Sequence, residues 1–207
     1  MSIVIVVDPF STGAILVQAL NNLYPLHKCV GIFNITDNSA SLQTLVPKGL
    51  TLKYEAIIEF NKSKDSFDDL VARLIIQYGK ENIAAVIAGA EPGVEVADAL
   101  SERLSLRSNS TLLTEARRNK FVQSEQIRSK GLRAVKQFSS DSWDDIQSWI
   151  ESELVPDPSS NFKVVVKPQD SAGSDCVTLC NNMEEVRAGY HSIIGKSNVL
   201  GLITLLV

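Results

Sequence analysis

Ile3-Val4-Ile5-Val6-Val7, running into Asp8-Pro9-Phe10-Ser11-Thr12-Gly13, is the stretch whose reading decides the fold. Its five apolar residues are all β-branched and show no alternation with polar ones. Such a run suits a strand covered on both faces, as in a parallel sheet packed between helices. Proline and glycine then turn the chain. Ile15, Leu16, Ala19, Leu20 and Leu23 recur at helical spacing, with Ser11 as the expected N-cap. A buried strand followed at once by an amphipathic helix is the opening unit of an α/β fold.

Outward from this unit the pattern repeats. Cys29 to Ile35 and Leu52 to Ile58 read as strands. Phe67, Leu70, Val71, Leu74, Ile75 and Tyr78 mark a helix capped by Ser66, and Ala84 to Ala88 is again a buried-type strand. Residues 1–106 therefore predict a Rossmann-like α/β domain. Residues 107–207 change character and predict a smaller α+β unit. After the polar connector Arg107-Ser108-Asn109-Ser110, Thr111 to Lys130 reads as one helix ended by Gly131. A strand over Arg133 to Phe138 follows, then a helix carrying Trp143, Ile146, Trp149 and Ile150, and a loop over 155–160. Phe162 to Lys167 and Cys176 to Leu179 form a strand pair. Asn181-Asn182-Met183-Glu184 has capping-box spacing and opens a helix to about Ile194.

Composition excludes several function classes. The 207 residues are 44% apolar and 21% charged with a net charge of −4, which argues against disorder and against a nucleic-acid partner. No apolar run reaches the ~20 residues that span a bilayer. An odd number of cysteines, three, argues against a disulfide framework and points to the reducing cytoplasm.

Common sites fail on spacing. A dinucleotide fingerprint needs three glycines after the first strand, and this turn holds only Gly13. Gly195-Lys196-Ser197 is preceded by Gly189, one residue too far for a phosphate loop. It also follows a helix rather than a strand, so Gly195 reads as a helix end. Cys29, Cys176, Cys180, His27 and His191 do not assemble four ligands, so no metal residues are assigned. Lys167, at the end of an apolar strand, precedes a loop containing Ser171, Ala172, Gly173 and Ser174. Small residues let backbone N–H groups turn toward an anion, and a lysine adds a point charge suited to phosphate. Arg118 and Lys120 near the start of a helix oppose its dipole, as they would when facing something negative.

Together these segments form a recognisable order: Arg117-Arg118-Asn119-Lys120, Lys130-Gly131-Leu132-Arg133, and Val165-Val166-Lys167-Pro168 with Ser171-Ala172-Gly173-Ser174-Asp175. The order resembles the ATP-grasp superfamily, in particular its carboxylate–amine ligases of the L-amino-acid type. Gly89-Ala90-Glu91-Pro92-Gly93-Val94 is similar to the end of that family's preceding Rossmann-like domain. The resemblance implies that Lys120 and Lys167 reach the phosphates of ATP and that Ser171 to Ser174 fold over them. Glu91, Gly93 and Arg118 would face the substrate side. It implies amide formation from small-molecule carboxylate and amine substrates through an acyl phosphate, and no residue is assigned a catalytic role. The family's Mg2+ ligands belong to a large lobe that follows a strand like Leu202 to Val207. The expectation is therefore an amino-terminal portion that is inactive alone, and a homodimer is compatible with it. Two other readings stay open: a non-catalytic α/β module binding a nucleotide or partner, and a structural subunit docking through its apolar C-terminal run.

Overall fold

The computed structural model describes residues 2–35, 46–155, 162–171 and 173–196. At its centre, β1 (Ser2–Val7) pairs in parallel with β2 (His27–Asn34) on one side and β4 (Ile83–Ala88) on the other. β3 (Ala56–Phe60) adds outside β2, giving the order β3-β2-β1-β4. Residues 3–7 are all buried, as an unbroken β-branched run in a two-sided layer requires. Helices α1 (Thr12–Leu23), α2 (Phe67–Tyr78) and α3 (Val94–Arg103) complete this unit. One core joins Ile3, Ile5 and Val7 to Leu70, Leu74, Val96 and Leu100, and another joins Val4 and Val6 to Val17 and Cys29. The two faces of β1 thus serve two cores, and the α/β fold with a parallel sheet is the one its sequence predicts.

The first compact unit ends at Thr114 and the second begins at Glu115. The connector after Leu106 stays with the first unit because polar side chains tie it to α3. Thr114 Oγ1 donates to Asp98 Oδ2 at 2.7 Å, and the Thr111 N–H donates to Glu102 Oε2 at 3.1 Å.

The second unit holds α4 (Thr114–Arg118, whose first residue belongs to the preceding unit), α5 (Lys120–Ser129), α6 (Trp143–Trp149), the antiparallel pair β5 (Val164–Val166) and β6 (Thr178–Cys180), and α7 (Met183–Ile193). Its core gathers Ile150, Val164, Val166, Cys180, Val186, Tyr190 and Ile193. Among the described residues, no helix is long and apolar enough to cross a membrane.

Several local expectations are corrected. Ser11 does not cap α1 with its side chain and has φ 51°. The third strand starts at Ala56 rather than Leu52, because Asn21 occupies the Lys53 backbone. Its Oδ1 accepts from the Lys53 N–H at 2.8 Å and its Nδ2 donates to the Lys53 carbonyl at 3.1 Å. Residues 133–138 do not form a strand. Arg128 Nη2 takes the Val135 carbonyl at 2.6 Å, and the Gln137 amide binds the Phe121 carbonyl and Glu125 instead of extending a ladder. The strand expected over Cys176 to Leu179 starts two residues later and ends one later, at Thr178–Cys180. The capping box also sits one residue later: Asn182 accepts from the Glu185 N–H at 2.8 Å while Glu185 Oε2 accepts from the Asn181 N–H at 2.8 Å. Gly131 and Gly195 do end helices, each with positive φ. The expected loop beyond Val155 and the apolar run Leu202 to Val207 lie outside the described residues.

Candidate functional site

The expected helix over Thr111 to Lys130 breaks at Asn119, and the break builds the site. Asn119 leaves helical geometry (φ −85°, ψ 114°) and caps a new helix: its Oδ1 accepts from the Phe121 and Val122 N–H groups at 2.9 and 3.1 Å. Lys120 thereby becomes the first residue of α5. Its backbone N–H donates to the Gln169 carbonyl at 3.0 Å and its Nζ donates to the Ser171 carbonyl at 2.5 Å. Asn119 Nδ2 donates to Gln169 Oε1 at 2.8 Å, and Gln169 Nε2 donates in turn to Ser139 Oγ. Arg118, the last residue of α4, pairs with Asp170, and its side chain is only 9% exposed. Residues 118, 119 and 120 thus grip residues 169, 170 and 171, just beyond the end of β5.

Lys167 follows β5 directly and is half-buried. On β5, Val164 and Val166 face the core, whereas Val165 is 47% exposed. Val165 stands opposite Leu179 of β6, itself 59% exposed. The outer face of the pair therefore offers an apolar surface, and the other face packs on the core. A cavity of about 320 Å3 opens against that core face, lined by Ile150, Val164, Val166, Val186 and Tyr190 and flanked by Lys136, Lys163 and Lys167. It lies where residues 135–138 run beside β5 without pairing to it.

The loop itself turns sharply. Gly173, Ser174 and Cys176 have φ of 66°, 61° and 54°. Gly173 and Ser174 are exposed, as anion-binding backbone must be, whereas Ser171 is buried and its Oγ donates to Asp175 Oδ2 at 3.2 Å. Ala172 lies outside the described residues. The Ser171 hydroxyl is thus engaged within the loop, whereas Gly173 and Ser174, among the described residues of the loop, are exposed.

The remaining expected residues belong to the first unit. Glu91 is exposed at the start of the turn Glu91–Gly93. Gly93 is buried, and a Cβ built on it would stand 2.8 Å from the Val7 carbonyl oxygen. Its lack of a side chain serves close packing on β1. The same strand end holds Asp8, which the sequence marked only as part of a turn. Asp8 is fully buried, and its Oδ1 accepts from the Asn34 N–H at 2.8 Å. Its Oδ2 and the Asn34 Oδ1 are buried without a hydrogen-bond partner among the described residues. Burial pushes the Asp8 carboxyl up to about 7, against the lowering effect of the Asn34 N–H. The available signal was position: an acid directly after an all-buried strand has little path to water. Asn119, Gln169 and Asp170 are likewise not among the site residues that the sequence predicts. Asn119 carried a legible hint, a strong N-cap residue inside a helical stretch.

Among the described residues, no group of three or more His, Cys, Asp or Glu side chains could hold a metal ion.

No family model matches the chain. Among curated proteins it is 26% identical over 200 residues to dapdiamide A synthase of Enterobacter agglomerans, an alignment covering 96% of this chain and 43% of that protein. In fold it is similar to part of an L-amino acid ligase from Bacillus licheniformis, with a TM-score of 0.63, 14% identity, and coverage of 93% of this chain and 42% of the other. It is also similar to part of an N5-carboxyaminoimidazole ribonucleotide synthetase in complex with ADP, with a TM-score of 0.58, 14% identity, and coverage of 99% and 45%. A carboxyaminoimidazole ribonucleotide synthase from Aspergillus clavatus complexed with ATP gives a TM-score of 0.57 at 17% identity, covering 99% and 46%. The chain spans less than half the length of each. In sequence along almost its whole length, and in fold, it is similar to ATP-grasp carboxylate–amine ligases over part of their length.

Proposed function

We propose that this chain is the part of an ATP-dependent carboxylate–amine ligase that takes hold of the nucleotide's phosphates. The observation that carries the reading is the meeting of Lys120 with the loop that follows Lys167, two segments far apart in sequence joined by the Lys120–Ser171 hydrogen bond. Two ammonium groups and the exposed N–H groups of Gly173 and Ser174 suit a polyphosphate, whose charge such donors offset. Val165 and Leu179 suit the flat apolar face of a base. In the reaction read from the resemblance, ATP phosphorylates a carboxylate and an amine displaces phosphate from the acyl phosphate. The part of this chain is to bind and orient the triphosphate and to spread its negative charge. The described residues do not form an acidic set for Mg2+, so no step is derived through that ion. Alone, the chain is expected to bind nucleotide weakly and to form no amide. Its unpaired cysteines, Cys29, Cys176 and Cys180, agree with the cytoplasm, where ATP is abundant.

The test is a titration of the chain with ATP. Lys120→Ala and Lys167→Ala are each expected to weaken binding by about tenfold or more, as loss of a charge-assisted bond does. If neither substitution weakens it, the reading fails. ATP-dependent amide formation by these 207 residues alone would show that the site is complete without further lobes.

A further inference from the structure

A lysine that binds phosphate does so at a cost, because its long side chain loses much rotamer freedom when it engages an anion, and the cost falls when the stem is already held. In this chain both ends of Lys120 are held: the backbone N–H on the Gln169 carbonyl at 3.0 Å and the amine on the Ser171 carbonyl at 2.5 Å. The tether depends on a chain of side chains whose donor and acceptor roles are fixed. Asn119 Oδ1 is committed to two helix N–H groups, so its Nδ2 must donate to Gln169 Oε1, and Gln169 Nε2 is left to donate to Ser139 Oγ. On the other flank, Arg118 pairs with Asp170 with its side chain almost out of water, where an ion pair holds a defined geometry and loss of one partner is costly. Neither Gln169 nor Asp170 is among the groups read as phosphate ligands.

We propose that Gln169 and Asp170 are positioning residues for the Lys120 amine, holding the start of α5 against the root of the loop so that an arriving phosphate meets an ammonium already in place. The proposal rests on the reading of Lys120 as a phosphate ligand. It makes a prediction opposite to simple electrostatics. Asp170→Asn removes a negative charge beside an anion site, which by charge alone should tighten anion binding. Loss of positioning should weaken it.

The experiment is calorimetric titration of the 207-residue chain with inorganic tripolyphosphate and, separately, with ATP. Asp170→Asn and Gln169→Ala are each expected to weaken both by about tenfold, and Asp170→Glu to recover most of the loss. The double variant Lys120→Ala/Asp170→Asn should bind no more weakly than Lys120→Ala alone, because Asp170 acts through Lys120. Wild-type or tighter binding by Asp170→Asn, or additive losses in the double variant, would overturn the proposal. Should the unaltered chain bind neither probe, the functional reading falls, and positioning is judged from the Lys120 side-chain NMR signals without ligand. Those signals are expected to be distinct in the unaltered chain and to move toward those of exposed lysines in Asp170→Asn and Gln169→Ala. Unchanged signals in both variants would reject it.

Discussion

The ammonium of Lys120 donates to the carbonyl of Ser171 at 2.5 Å, so the first residue of α5 holds the loop that begins 51 positions later. Removing that bond should loosen the loop without any ligand present. Lys120→Ala is expected to speed hydrogen exchange of the amides at 173–177 by about tenfold or more, the equivalent of one bond to a charged group. Exchange that stays at the unaltered rate would show that other contacts hold the loop root.

Asp8 should make the first unit less stable as pH rises. In the folded chain its carboxyl keeps a proton up to about pH 7, whereas its ordinary value is 3.8. The folded state therefore binds the extra proton between these values. The contribution is fully present below about pH 4 and is lost as pH climbs through about 7. The loss is on the order of a few kcal/mol. Asp8→Asn keeps the acceptor for the Asn34 N–H but cannot ionise, so its melting temperature should fall less between pH 5 and 8. Equal slopes for both proteins would count against a buried neutral acid.

A methyl group on Gly13 has nowhere to go. A Cβ there would stand 2.6 Å from the Cα and carbonyl oxygen of Gly89, at the place where α1 begins beside the end of β4. Gly13→Ala is expected to cost about 1–3 kcal/mol, as overpacking does, and to lower the urea midpoint of the first unit. A midpoint within error of the unaltered chain would mean that the two backbones separate freely.

Asn119→Ala removes an N-cap and the bond to Gln169 together. The cap alone should cost about 1 kcal/mol, read as loss of helicity and a lower melting temperature. Asn119→Asp retains the capping oxygen but not the donor to Gln169, and should fall between the two. If Asp and Ala variants melt alike, the Gln169 bond outweighs the cap.

The first unit was legible because its physics is local. An all-apolar β-branched run means burial on both sides, and the helix over Phe67–Tyr78 showed its Ser66 cap in the sequence, with the hydroxyl accepting from the Asp69 N–H at 3.2 Å. Leu52 misled because the backbone of Lys53 is taken by a side chain from another element, which no neighbouring residue announces. Arg133 to Phe138 misled in the same way, since Arg128 and the Gln137 amide hold that segment in place of a ladder. At the candidate site, Lys120, Lys167 and the small-residue loop could be read as charge and flexibility. Gln169 and Asp170 could not, because their roles exist only once residues 50 or more positions away are brought alongside.

Asn119 serves two structures with one amide: its oxygen starts a helix and its nitrogen holds Gln169. Such a residue constrains how a lineage can drift. Replacement by Asp still caps but gives up the donor that the glutamine accepts from, and a change at 169 that removes the side-chain oxygen leaves the amide nitrogen without that acceptor. Exchange at either position is therefore expected to arrive with compensation at the other, so that paired change across these two sites in descendants would be the historical trace of a contact visible here only as 2.8 Å between two atoms.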